Sequence, residues 1–219
     1  MGIIERKEKE RLIRKKSMIN AAESVFLKKG FENSTMDDIA KEAEFTKKTL
    51  YSYFKSKEEL YYEVMILGFK TLNDIFDETI NENIEIDEIT KIKKLGQTFI
   101  EFSRTYPGYF KAITDYQNKD LDFQVDNSNS LINECYIAGE YSFKLLNNCI
   151  INGIKKGEIL NNTDSVTVCL MLWSTMLGFI GLINKKEKYI NSYYNKNIEE
   201  LMEDGFELLL SSIKKVEEN

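Results

Sequence analysis

Residues 35–60 read TMDDIAKEAEFTKKTLYSYFKSKEEL, and their apolar and capping positions predict two short helices that cross steeply. Ile39, Ala40 and Ala43 share one face of the first helix, and Ala40 is small enough to let a second helix come close. Thr35, with Asp38 three residues on, forms a capping box that satisfies an orphan N–H and places negative charge at the positive helix end. Thr46 can cap the second helix in the same way. Only Glu44 and Phe45 lie between the two helices, so the connection is a tight turn of the helix-turn-helix kind. Phe45, Leu50 and Tyr53 plug the angle, which leaves Lys47, Lys48, Thr49, Tyr51 and Ser52 outside. Two cations and polar side chains at a helix start suit the major groove of DNA. Lysines in a charge run are more often merely solvated, but the turn length, Ala40 and the YFKSKEEL continuation favour a DNA reader.

The longer run from Gly30 to Leu60, GFENSTMDDIAKEAEFTKKTLYSYFKSKEEL, closely resembles the DNA-binding signature of the tetracycline-repressor (TetR) family of bacterial transcription regulators. The resemblance rests on Gly30-Phe31, Thr35-Met36, Ile39-Ala40, Thr49-Leu50-Tyr51, Tyr53-Phe54 and Lys57-Glu58 at the family's spacing. It implies that Lys48 and Thr49 face base edges and that Lys47 and Tyr51 meet bases or phosphates. It further implies that Tyr53 and Lys57 hold the DNA backbone, with Thr35 donating from the first helix. Ser56 with Glu59 reads as a second capping box, which fixes the start of the next helix at Lys57. Two positions depart from the family pattern. Glu44 stands where the family usually has glycine, at a turn position that often needs a positive φ. Lys48 also replaces a frequent glycine and makes the groove-facing surface bulkier and more cationic.

Charge divides the chain in the same place. The whole is acidic at net −6, yet residues 1–57 carry 14 Lys/Arg against 9 Asp/Glu, whereas residues 58–219 carry 16 against 27. The cations therefore belong to the DNA end. Many lie in Arg6, Lys7, Lys9, Arg11, Arg14, Lys15 and Lys16, at the start of a helix expected to run to about Lys29 with Ile19, Ala22 and Phe26 as its buried stripe. The basic arm is either a solvated, frayed terminus or, as the resemblance implies, a phosphate contact.

The expected organisation is all-α, about nine helices: a three-helix helix-turn-helix domain over 1–57 and a helical ligand-binding and dimerisation domain over 58–219. A single proline, Pro107, sparse glycine and no hairpin turn pairs support helix throughout. Helices are predicted at about 57–81, 87–105, 107–117, 130–156, 164–185 and 196–215, with a loop at Asp126–Ser130, Gly157 as a helix end and Asp164 as a cap. Val166–Ile183 is uncharged over 18 residues, at the lower edge of what spans a membrane. Its Thr167, Ser174, Thr175, Gly178 and Gly181, and the lack of an aromatic and basic belt at both ends, favour a helix buried on every side, with one face on its own core and the other on a partner subunit. Ile198, Leu201, Met202, Phe206, Leu209, Leu210 and Ile213 give the last helix a second apolar face. Two such helices from each copy would build a four-helix homodimer interface, which sets two readers about 34 Å apart on a palindromic operator.

The resemblance also implies a small-molecule effector site in the middle helices, for which the candidates are Phe102, Tyr106, Tyr109, Phe110, Tyr136, Trp173 and Met176. Aromatic residues at helical spacing are more often plain core, and such a site would take a largely apolar ligand. Enzymatic readings find little support. There is no histidine, and Cys135, Cys149 and Cys169 are scattered in apolar runs, so neither a catalytic set nor a metal site is expected, and no cofactor. The charged N-terminus lacks a signal-like apolar run, which points to the cytoplasm. The expected function is a ligand-responsive repressor. The alternative is a helical small-molecule binding protein whose reader is spoiled by Glu44.

Overall fold

The computed structural model describes residues 2–117, 130–160 and 164–215. The expected loop at Asp126–Ser130 falls outside the described residues, except that Ser130 begins a helix. Nine helices cover most of the described residues: α1 Ile3–Lys29, α2 Met36–Glu42, α3 Lys47–Tyr51, α4 Lys57–Glu82, α5 Glu88–Thr105, α6 Pro107–Gln117, α7 Ser130–Lys156, α8 Ser165–Tyr194 and α9 Ile198–Ser211. Among the described residues the only extended pairing is an isolated antiparallel bridge between Ile159 and Lys214.

Most helix ends fall where their caps were read. Asp164 accepts from Thr167 N–H, Gly157 sits at φ 76 just beyond α7, and Pro107 begins α6. The clear departure is α8, which continues to Tyr194 instead of ending near residue 185. The apolar stripe ends there, but the following NKKEKYINSYY contains no glycine or proline, so nothing stops the helix until Asn195 turns left-handed at φ 50.

The helices fall into two compact units, Met1–Lys70 with Tyr106–Ile137, and Thr71–Thr105 with Ala138–Asn219. This differs from the expected boundary at 57/58. The basic N-terminal segment shares its packing with the start of α4 and with α6: Phe26 meets the Tyr61 ring edge-on at 5.3 Å, and α1 lies against α6. In this first unit Met18, Ala22, Ile39, Leu50, Phe54, Leu60 and Met65 are wholly or almost wholly buried.

The second unit is built from α5, α8 and α9 with parts of α4 and α7. Leu95, Phe99, Phe102, Leu172, Met176, Met202 and Phe206 form much of its core. A buried carboxylate fixes one end of it. Glu88, 3% exposed, accepts from Lys91 Nζ at 3.0 Å and Lys156 Nζ at 2.8 Å. The Glu158 carboxylate in turn accepts from the N–H groups of Glu88 and Ile89, capping α5 from a distant part of the chain.

Candidate DNA interface and ligand cavity

The helix-turn-helix is assembled from local hydrogen bonds. Thr35 Oγ1 accepts from Asp38 N–H at 3.1 Å, and the Asp38 carboxylate accepts from both Thr35 N–H and its hydroxyl. Thr46 caps α3 by accepting from Thr49 N–H at 3.1 Å, with the two hydroxyls 2.8 Å apart. The turn between them keeps its backbone bonds, since Glu44 N–H reaches Lys41 O and Phe45 N–H reaches Ala40 O at 2.9 Å. Glu44 provides the required conformation at φ 57, a cost of about 1 kcal/mol for a residue with a β-carbon. Ile39, Ala40 and Leu50 are buried against each other's helices, while Phe45 and Tyr53 are half-buried. The Ser56 box is displaced: Ser56 Oγ accepts from Glu59 N–H, but the Glu59 carboxylate accepts from Lys55 N–H.

The seven expected DNA contacts occupy different states. Lys48 and Tyr51 are exposed on the outer side of α3, and Lys48 has no ion-pair partner among the described residues. Lys47 is exposed but paired with Asp37 at 2.8 Å, which raises its ammonium pKa. Thr35 and Thr49 spend their hydroxyls on the two caps. Tyr53 carries the Arg11 guanidinium over its ring at 5.9 Å. Lys57 faces inward, donating to the carbonyls of Phe31, Glu32 and Ser34. Further ion pairs line α2: Lys29 with Asp38 and Lys28 with Glu42, each of which holds its carboxyl below the usual range. The basic arm is helical from Ile3 and exposed along Glu5–Arg14.

In the second unit, Phe76, Gly96, Phe99, Trp173, Met176 and Phe206, with Ile92, Leu95, Leu146 and Leu172, enclose a cavity of about 30 Å³, close to the volume of one water molecule. Its walls carry no charged side chain. Trp173 stacks on Phe99 with ring centres 5.3 Å apart. Of the seven expected ligand residues, Trp173 and Met176 line this cavity. Phe102 is buried in the same unit, stacked 6.4 Å from Phe99 without reaching the cavity. Tyr106, Tyr109, Phe110 and Tyr136 belong to the first unit, where Tyr106 and Tyr109 stack at 5.9 Å and Tyr136 is exposed. The expected set is thus divided between the two units.

Comparison with known proteins decides the family of the reader. The family described as bacterial regulatory proteins, tetR family, matches residues 18–64, the whole of the helix-turn-helix with its flanks. Residues 18–64 thus carry the DNA-binding region of the tetR family. The HTH-type transcriptional regulator YhgD of Bacillus subtilis is 32% identical over 93 residues, 42% of this chain and 48% of that protein. The negative transcriptional regulator IcaR of the biofilm operon icaADBC in Staphylococcus aureus is 36% identical over 117 residues, 53% of this chain and 54% of that protein. The chain therefore spans about half the length of the curated relatives it matches. The solved structure of FadR from Bacillus subtilis in complex with stearoyl-CoA superposes with a TM-score of 0.69 at 18% identity, over 90% of this chain and 98% of that one. The fatty acid degradation regulator FadR from Bacillus halodurans gives 0.66 at 19% identity, over 91% and 99%. At such identities these two establish the likeness of fold.

Sequence reading missed residues whose partners lie elsewhere in the chain. Asp37, which holds Lys47, and Phe206 and Phe99, which wall the cavity, carry no motif of their own. Phe206 and Phe99 do sit on the apolar stripes of α9 and α5, which is the one signal that could have found them.

Proposed function

We propose that this TetR-family chain is a repressor that binds a palindromic operator as a homodimer and leaves it when a largely apolar small molecule enters the second unit. The observation that carries the reading is a complete, capped helix-turn-helix with Lys48 and Tyr51 exposed on its reading helix. The name of IcaR as a negative regulator supports repression, and the stearoyl-CoA complex of FadR supports an apolar effector.

The small, uncharged cavity fits that effector class once ligand has pushed its walls apart, with Trp173 and Met176 as contacts. Phe76 of the same cavity lies on α4, the helix that begins beside the reader, so ligand displacing Phe76 shifts the helix after Ser56 and changes the separation of the two readers. Ligand must favour the non-binding state to act. Dimerisation through about 164–185 and 196–215 is supported by an outward face of α8. There Val166, Leu170, Met171 and Leu182 are 42–57% exposed, and Leu208 of α9 is 73% exposed. By length and composition alone α8 could cross a membrane; its inward face, with Val168, Leu172, Met176 and Ile180 buried, fits a core helix better, and the proposed location is the cytoplasm. The undistorted hydrogen bonds of the turn at Glu44 speak against the reading in which the reader is spoiled.

Selection of binding sites from a random DNA pool tests the reader, and an inverted repeat is the expected product. Titration with fatty acids of graded length, followed by the fluorescence of Trp173, the only tryptophan, tests the effector. A ligand that saturates this signal yet never weakens operator binding would sink the inducible part. Failure to enrich any site would sink the whole proposal.

A further inference from the structure

Lys57 opens α4, and its ammonium is spent inside the protein. It donates to Phe31 O at 2.6 Å, Ser34 O at 2.9 Å and Glu32 O at 3.4 Å, and it lies 4.3 Å from the centre of the Phe31 ring. An ammonium has three protons to donate, and three carbonyls account for them. These carbonyls belong to the turn joining α1 to α2, outside either helix, where Phe31 O also accepts from Ser34 N–H at 3.2 Å. The turn is held from both sides. The Phe31 ring is boxed by Phe26 at 5.7 Å and Tyr61 at 4.7 Å, and the buried Ser34 hydroxyl donates back to Gly30 O. Thr35, the cap that sets the direction of α2, is the next residue. A phosphate could take Lys57 only by withdrawing it from carbonyls already 2.6 and 2.9 Å away.

We propose that Lys57 is a positioning residue: it clamps the 31–34 turn to the start of α4 and so sets the angle of the α2–α3 reader, rather than contacting a phosphate. This rests on the reading of the chain as a DNA-binding regulator. Its function is to make specific recognition depend on where α4 begins. Non-specific attraction to DNA is left to the other cations of residues 1–57.

The test compares the full-length wild type with K57M, which keeps the stem but loses charge and donors, and K57R, which restores both. Without DNA, hydrogen exchange at the amides of Ser34, Asp38 and Ile39 should quicken about tenfold in K57M, as expected for loss of a charged hydrogen-bond donor, and K57R should reverse it. With DNA, at a temperature where both proteins are fully folded, K57M should lose about tenfold of its preference for the selected operator over random DNA. Its affinity for random DNA should hold. Unchanged exchange in K57M overturns the proposal whatever the DNA shows. So does an equal loss on operator and random DNA with a salt dependence shallower by about 0.9, the signature of one lost phosphate contact. If the wild type enriches no site, the DNA-binding reading fails, and the exchange arm still decides whether the clamp exists.

Discussion

The ring of Phe206 on α9 occupies the space a β-carbon on Gly96 of α5 would need, only 2.0 Å from where that atom would stand. The two helices meet at van der Waals distance there, and both residues line the apolar cavity. Gly96→Ala should therefore push the ring aside and cost about 1–3 kcal/mol, the usual range for overpacking a core, despite the better helix propensity of alanine. Urea unfolding measures it. A variant as stable as the wild type would mean that the ring has free room to move.

Glu44 provides the opposite case, a residue whose backbone is strained while its side chain is exposed. At φ 57 glycine carries no β-carbon penalty, so Glu44→Gly should stabilise the chain by about 0.5–1 kcal/mol after the added freedom of the unfolded glycine is counted. Thermal unfolding checks this. Operator preference should stay the same, because the turn's hydrogen bonds are already in place.

Glu88 makes stability depend on acid. Burial alone raises a carboxyl pKa, but here Lys156 and then Lys91 outweigh it and hold the carboxyl below its ordinary value of 4.5. A depressed folded-state pKa gives stability that is full above the unfolded value and is lost as pH falls through the folded one. Glu88→Gln should thus cost about 1–3 kcal/mol at pH 7, and its gap from the wild type should narrow below pH 4.5 as the wild-type carboxylate takes up its proton. Denaturant titrations of both proteins from pH 7 to pH 3 follow the gap; a constant difference would mean that charge plays no part.

Lys48 is exposed on the reading helix and has no ion pair among the described residues. Lys48→Gly should change which sites are selected from random DNA more than it changes the melting temperature. Should the variant enrich the same sites as the wild type, Lys48 lies away from the base edges.

The reader was legible because its signals are local: a cap at Thr35, another at Thr46, a two-residue turn and the small Ala40 fix each other within a few residues. The apolar cavity was not. Its walls come from α4, α5, α7, α8 and α9, and periodicity identifies an apolar face without naming the face it will meet. The aromatic run Phe102, Tyr106, Tyr109 and Phe110 looks continuous in sequence, yet the compact units part between Thr105 and Tyr106. The inward hydrogen bonds of Lys57 were hidden for a related reason, since its partners are backbone carbonyls, which every sequence has and none advertises.

The three cysteines, all buried, have one more consequence. Burial pushes the thiol pKa of Cys135 and Cys169 up to about 12 and that of Cys149 to about 11, so each stays protonated and unreactive at cellular pH. Since the chain also has no imidazole, the two side-chain chemistries through which proteins most readily sense acidity or thiol oxidation near neutrality are both closed to the folded molecule.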